Sequence, residues 1–224
     1  MRPVDKGQAP DIQFKKYQDA EPYLEERLGA YCSFCEYPIQ HVPEVEHKEA
    51  KKRGGEVLDW KNLLLSCKYC NTRKGIVVGK GEKEKYLWCD EDDTFHALIY
   101  DETGVPKLND IYLEKQGGKV REKAQALFEL LKLDNIPISP KDKDRRYAKR
   151  SEVWNHAVRC KRFWDKIKKT EMKEEYLQTI EMLAKEAGFF SVWMTVFKDD
   201  IEVREMLIHT VKGTRKEYCM DESL

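Results

Sequence analysis

The chain has 224 residues, of which 41% are hydrophobic and 37% are charged. This length suits one compact domain or two small ones, and no apolar run approaches the roughly eighteen residues needed to span a bilayer. We therefore expect a cytoplasmic protein without a membrane partner. Basic and acidic residues balance at 41 each, so net charge cannot drive nucleic-acid binding, which would depend on local basic patches.

The first predicted unit is residues 1–30, an arm containing proline and glycine followed by a helix from Ala20 to Leu28. The arm is expected to be irregular and to pack on, or dock to, another surface. The helix leads directly to the first of two cysteine pairs.

Two Cys-x-x-Cys pairs follow, Cys32 with Cys35 and Cys67 with Cys70. Each pair can form a tight turn, here called a knuckle, whose two thiolates point at one cation. Two knuckles complete the tetrahedral four-sulfur shell of structural zinc, whereas catalytic zinc keeps one position open for water. The sequence therefore predicts a structural zinc site.

Two disulfides, or four unrelated core cysteines, are the alternatives to this zinc site. Disulfides fit poorly because three further cysteines remain and the chain starts without a hydrophobic secretory segment. These cysteines are Cys89, Cys160 and Cys219. They are most simply reduced thiols in the core.

Polar side chains occupy the segment between the knuckles and the position just after the second one: Glu46, His47, Asn62 and Asn71. In this order around two knuckles, residues 31–75 resemble the HNH endonuclease family in its His-Asn-Asn form. The resemblance implies a ββα-metal finger, in which two short strands and a helix surround one divalent cation. It also implies hydrolysis of DNA.

Phosphodiester hydrolysis needs a base for water, a cation for the developing charge and a stabilised leaving oxygen. His47 has an unperturbed pKa near neutrality and suits the base, while Glu46 and Asn71 offer the hard oxygen ligands that Mg²⁺ or Mn²⁺ accepts. The resemblance assigns Asn62 a supporting role, in which it orients the loop that carries His47. Because Glu46 and His47 are adjacent, both reach one phosphate only if their strand bends or ends there.

The second knuckle is expected to lie on a short helix with Ser66 as its N-cap and Gly75 at its end. Asn71 and Lys74 would share one face of that helix, so Lys74 could contact a phosphate held beside Asn71.

Three basic groups are predicted to contact DNA phosphates. The first directly follows the base and comprises Lys48, Lys51, Lys52 and Arg53. The second is Arg73 with Lys74 on the short helix. The third comprises Arg145, Arg146, Lys149 and Arg150, predicted to form one basic helix face, in a segment, residues 141–169, with twelve Lys or Arg against four Asp or Glu. An ordinary solvated helix surface is the alternative for this third group.

The rest of the chain is predicted to add a hairpin and then helices. Strand-like residues 94–100, followed by a turn at Gly104, predict the hairpin, and Gly117-Gly118 marks the end of a nuclease core over residues 31–118. Apolar residues then recur every three or four positions, which predicts a helical region over residues 119–224. Residues 188–197 are densely apolar and are expected in the core, with a partner-facing surface as the alternative. The fold class is therefore α+β.

This layout resembles the HNH nucleases of bacterial antiphage systems, the PtuB-type subunits of Septu and related retron modules. The resemblance implies a bacterial cytoplasmic protein that works with a separate ATPase partner and has no small-molecule substrate. Two alternatives remain open: a zinc-finger module that binds nucleic acid or mediates assembly without catalysis, and a restriction-type or RNA-cutting HNH enzyme.

Overall fold

A computed structural model describes residues 1–220. The described helices are α1 (Glu21–Leu28), α2 (Lys68–Lys74), α3 (Asp110–Gln116), α4 (Gly118–Leu131), α5 (Arg146–Ile167), α6 (Lys173–Ala187), α7 (Phe190–Val196), α8 (Ile201–Thr210) and α9 (Lys216–Cys219). The described strands are β1 (Glu44–His47), β2 (Leu63–Ser66), β3 (Leu98–Ile99) and β4 (Lys107–Leu108). Helices therefore combine with two small sheets, as the α+β prediction states. No helix in this part of the chain is long and apolar enough to cross a membrane.

Strands β1 and β2 form an antiparallel pair in which Glu46 lies opposite Leu64 and His47 opposite Leu63. All four residues of β2 are buried, and the chain then enters α2 after one residue. The predicted helix start was wrong by one residue. Cys67 is the N-cap of α2 in place of Ser66, because its sulfur accepts the amide of Cys70 at 3.4 Å. Gly75 ends the helix with a positive φ, as predicted.

The N-terminal arm is irregular and packs on the rest of the molecule. Val4 forms an isolated β-bridge with Thr214, and its amide donates to the carbonyl of Cys89 at 2.7 Å. Helix α1 starts one residue after the predicted position, with proline in its first turn.

The buried hydrophobic side chains form two clusters. The first contains buried residues from Met1 to Leu133, including the four cysteines and the inner face of α4. The second joins Tyr31 to buried residues of α5 to α9. The predicted boundary at Gly117-Gly118 falls between α3 and α4, and α4 packs in the first cluster. Residues 188–197 are core, as predicted, because most of α7 is buried in the second cluster.

The hairpin is present but much shorter than predicted. Only Leu98 and Ile99 pair with Lys107 and Leu108. The amides of Phe95 and His96 both donate to the Asp93 carboxylate, at 3.1 and 3.2 Å, which holds this segment in a turn.

A buried ion cluster at Asp90 ties the arm to the segment after β1. The Asp90 carboxylate lies 2.8 Å from the Lys6 ammonium and 2.9 Å from that of Lys48, and all three side chains are at most 7% exposed. Burial alone would raise the pKa of Asp90, but the two lysines outweigh it and lower that pKa. Lys48 therefore cannot serve as the predicted phosphate contact, because its charge is neutralised inside the protein.

Replacing Asp90 by asparagine is expected to lower the free energy of unfolding by about 3–5 kcal/mol, since the buried Lys6 ammonium loses its carboxylate and Lys48 keeps only Glu91. Urea denaturation at pH 7 measures the loss. The control is Glu56→Gln, which removes an ion pair with Lys80 whose partners are 64% and 63% exposed, and should cost less than about 1 kcal/mol. Equal effects of the two substitutions would contradict the prediction.

The effect of Asp90→Asn should also depend on pH. A carboxylate whose pKa is lowered on folding stabilises the protein above its unfolded pKa, about 3.9, and this contribution disappears as the pH falls through the folded value. The difference between wild type and Asp90→Asn should therefore be constant above about pH 5 and shrink below about pH 4. A difference that grows in acid would be inconsistent with this assignment.

Candidate functional site

The two knuckles bring their four cysteines together. The sulfur atoms of Cys32, Cys35, Cys67 and Cys70 all lie within 4.8 Å of one another, and all four residues are buried. None of the seven cysteines forms a disulfide. A tetrahedral zinc ion with Zn–S bonds of about 2.3 Å places its sulfurs roughly 3.8 Å apart, and the sulfurs of Cys35 and Cys67 are 3.7 Å apart. The donor set therefore fits a closed zinc site.

His47 is the last residue of β1, and its imidazole is held from two sides. Its Nε2 lies 3.0 Å from the carbonyl oxygen of Val57, and the ring of Tyr17 packs edge-on at 4.8 Å between centroids. A carbonyl can only accept, so Nε2 carries the proton and Nδ1 keeps a free lone pair. Burial lowers the pKa of His47 despite the Val57 bond, and the charges of Lys51 and Lys74 add to the lowering. The lowered pKa favours the neutral imidazole, whose Nδ1 can accept a proton.

Asn62 fixes the backbone on both sides of the loop that follows His47. Its Oδ1 accepts the amide of Glu49 at 2.8 Å, and its Nδ2 donates to the carbonyls of Glu49 and Glu56 at 3.1 and 2.8 Å. Glu56 directly precedes Val57, whose carbonyl binds His47. Asn62 therefore ties the two ends of this loop, at Glu49 and Glu56, to each other.

Glu46 points away from His47, toward α2. Its carboxylate lies 2.7 Å from the Lys74 ammonium, and both side chains are buried. Burial raises the pKa of Glu46, and Lys74 and Lys51 oppose this increase. The same two lysines also act on the pKa of His47. Glu46 and His47 therefore share the same nearby charges, although they lie on opposite faces of β1.

Lys74 was predicted to contact a phosphate, but the structure pairs it with Glu46 inside the protein. Its side chain is 0% exposed, because α2 packs on the face of β1 that carries Glu46 and turns the end of the helix inward. The ammonium therefore neutralises Glu46.

Lys74→Met is expected to cost about 3–5 kcal/mol of unfolding free energy, because Glu46 loses its buried partner. The matched control is Lys68→Met on the same helix. Lys68 pairs with Glu44 at 3.1 Å, but its side chain is 78% exposed, so the cost should stay below about 1 kcal/mol. Urea denaturation of the two variants at pH 7 measures both values. Similar costs would contradict the buried-pair assignment.

Glu44 is a site residue that the sequence reasoning missed. Its Oε2 accepts a hydrogen bond from Asn71 Nδ2 at 2.7 Å. Residues two apart on a strand share a face, so Glu44 lies on the same face of β1 as Glu46, and the strand period could have identified it. Asn71 thus binds a carboxylate on the face of β1 that also carries Glu46.

The other predicted phosphate contacts of the first two basic groups differ in their availability. Lys51 and Lys52 are exposed, and the Lys51 ammonium lies 4.2 Å above the ring of Tyr17. Arg53 donates to the carbonyl of Val77 and pairs with Glu82 at 3.2 Å. In the same region, Arg73 donates to the hydroxyl of Tyr69 at 2.9 Å and lies 3.7 Å from Asp142.

The prediction that Arg145, Arg146, Lys149 and Arg150 form one basic face was wrong. Arg146 and Arg150 are each only 2% exposed, because they begin the inward stripe of α5 that continues at Val153 and Ala157. Arg145 is exposed, and Lys149 pairs with Glu152 at 3.1 Å.

Residues 32–76 match a family model described as HNH endonuclease. No curated protein and no solved structure matches the chain. The matched segment contains the four cysteines together with Glu46, His47, Asn62 and Asn71. The chain therefore carries an HNH domain, which points to a nuclease.

Proposed function

We propose that the chain is a metal-dependent endonuclease that hydrolyses DNA phosphodiester bonds through this HNH domain. The observation that carries the proposal is the environment of His47. Its Nε2 donates to Val57, which leaves the lone pair on Nδ1, and burial lowers the pKa of the ring, all inside the segment that matches the family.

In this proposal His47 Nδ1 accepts the proton of the attacking water. The Val57 carbonyl fixes the tautomer and the plane of the ring, so the base needs no rearrangement before it acts. Asn62 holds the loop on which Val57 lies. The lowered pKa keeps the ring in its basic form at neutral pH.

Glu46 and Asn71 would hold the catalytic cation, Mg²⁺ or Mn²⁺. A carboxylate and an amide on facing elements are hard oxygen donors that suit either ion, and Glu44 adds a second carboxylate. When bound, the cation would polarise the phosphate and stabilise the leaving 3′ oxygen. Lys74 pairs with one oxygen of Glu46, so metal binding at that oxygen requires its ammonium to move.

The four cysteines would hold a structural zinc ion that fixes α2, and with it Asn71, against β1. Phosphate contacts near the base are proposed for Lys51 and Lys52, which are exposed beside His47. Further contacts are proposed for Arg53, Arg73, Arg145 and Lys149.

We also propose that the enzyme acts in the bacterial cytoplasm, in antiphage defence, together with a separate ATPase. The support for this role is the chain layout alone, in which an arm, a knuckle-bearing HNH segment, a hairpin and helices follow one another. Co-expression with a candidate ATPase should then yield a stable complex whose cleavage exceeds that of the isolated chain.

The direct test is nicking of supercoiled plasmid by the purified chain with Mg²⁺ or Mn²⁺, with EDTA and with His47→Ala. Metal-dependent nicking that the variant lacks supports the nuclease, and RNA added as competitor separates a DNA enzyme from an RNA-cutting one. Plasmid binding without cleavage, retained by His47→Ala and unchanged by an ATPase partner, would favour a non-catalytic zinc-finger module.

A further inference from the structure

Two buried arginines of α5 lie beside the cysteine cluster. The Nη1 of Arg146 is 3.5 Å from the sulfur of Cys70. The second arginine, Arg150, lies one helical turn further along the same buried face of α5.

Arg146 is almost fully hydrogen-bonded. Its Nε and Nη2 donate to the Asp144 carboxylate at 3.0 and 2.9 Å, and Nη2 also donates to the carbonyls of Leu131 and Lys132 at 3.0 and 2.6 Å. The guanidinium lies 4.5 Å over the ring of Tyr69. These contacts leave Nη1 directed at Cys70.

Arg150 lacks a carboxylate partner among the described residues. Its Nη1 donates to the carbonyls of Gly104 and Leu133, at 2.9 and 3.4 Å. An isolated buried charge is costly unless an opposite charge compensates it. With Asp144 balancing one of the two arginines, a single positive charge remains uncompensated in this part of the core.

The cysteine cluster offers the missing negative charge. Four thiolates around one zinc ion carry a net charge of minus two, and the whole group is buried. We propose that Arg146 and Arg150 are outer-sphere parts of the zinc centre, Arg146 through an N–H···S bond to Cys70 and Arg150 through its charge. This inference rests on the proposal that the cysteines hold zinc.

The arrangement makes the start of α5 part of the HNH domain. Arg146 is 76 residues from Cys70 in sequence and lies in the predicted helical region, beyond the predicted nuclease core. Outer-sphere donors orient metal ligands and tune their basicity, and losing one typically weakens metal binding about 10–100-fold. A hydrogen bond to a thiolate also withdraws electron density from the sulfur, which should protect it from electrophiles.

The test uses the full chain loaded with zinc, as wild type, Arg146→Gln, Arg150→Gln and Arg145→Gln. Zinc affinity is measured by competition with a chromogenic chelator. We expect affinity losses of about 10–100-fold for Arg146→Gln and Arg150→Gln, and none for Arg145→Gln, whose side chain is exposed. Wild-type affinity in both buried-arginine variants would overturn the inference.

A second readout separates an effect on sulfur from a general packing defect. In the Co²⁺-substituted protein, loss of the N–H···S bond should shift the sulfur-to-cobalt charge-transfer absorption, whereas a packing defect alone should leave it unchanged. Arg146→Lys keeps the charge without the guanidinium fork, and serves the same test if Arg146→Gln does not fold. An unshifted band in the folded variants would remove the hydrogen bond from the proposal. Wild-type protein that binds neither metal would refute the zinc site itself, whatever the nuclease assay shows.

Discussion

Replacing His47 by alanine is expected to lower the rate of DNA cleavage by about 10²–10⁴-fold, the usual contribution of a general base. The fold should survive, because the lost hydrogen bond to Val57 is worth only about 1 kcal/mol. Plasmid nicking at saturating Mg²⁺ or Mn²⁺ measures the rate, while circular dichroism and zinc content confirm that the variant is intact.

The matched control for this experiment is His41→Ala. His41 lies in the same matched segment but is exposed, so its removal should leave cleavage at the wild-type rate. Equal cleavage by wild type and His47→Ala would show a contaminating nuclease or a different base. Loss of activity in both variants would indicate that the histidine changes act through the fold.

Asn62→Ala separates orientation from proton transfer. Without its three hydrogen bonds to Glu49 and Glu56, the loop should loosen and the imidazole should lose its fixed plane. We expect a smaller fall in the cleavage rate than for His47→Ala, because the base itself remains. An equal fall would mean that Asn62 does more than position the loop.

The cysteine cluster could be predicted from sequence because its geometry is local. Two residues between cysteines favour a tight turn, and the first turn lies against β2, where the amide of Ser33 donates to the carbonyl of Leu65. Helices α4, α5 and α6 were also predictable from apolar spacing. Helix α2 was predicted from its capping residue and Gly75, although Cys67 caps it in place of Ser66.

The direction of charged side chains was not predictable in the same way. Lys48, Lys74, Arg146 and Arg150 all looked like phosphate contacts, yet each is buried against a carboxylate, a backbone carbonyl or a thiol. Helix periodicity indicates part of this burial, because Arg146 and Arg150 begin the buried stripe of α5 that includes Val153 and Ala157. An arginine in such a stripe is buried only where a partner packs opposite it. For Arg146 the partners are Asp144 and Cys70, and the spacing of the sequence does not specify them.

Removing zinc is expected to unfold the first hydrophobic cluster. Zinc bound by structural cysteine sites contributes about 10–16 kcal/mol to folding in small zinc domains, which is as large as a typical domain's whole stability of about 5–15 kcal/mol. Cys67→Ser should therefore lose zinc and DNA cleavage together, although serine can still cap α2. The control is Cys160→Ser, a buried thiol of the second cluster, which should keep about one zinc per chain.

Hydrogen exchange shows where zinc acts. The four cysteines belong to the first cluster, whereas α6 to α8 have a separate core, so loss of amide protection should concentrate in β1, β2 and α2 and at the start of α5, where Arg146 contacts Cys70. A folded, reduced chain that binds no zinc would refute the four-sulfur site. Loss of amide protection confined to the two knuckles would show that zinc organises only those turns. The hydrophobic cluster around Trp60 and Leu64 would then hold β1 and β2 in place without zinc.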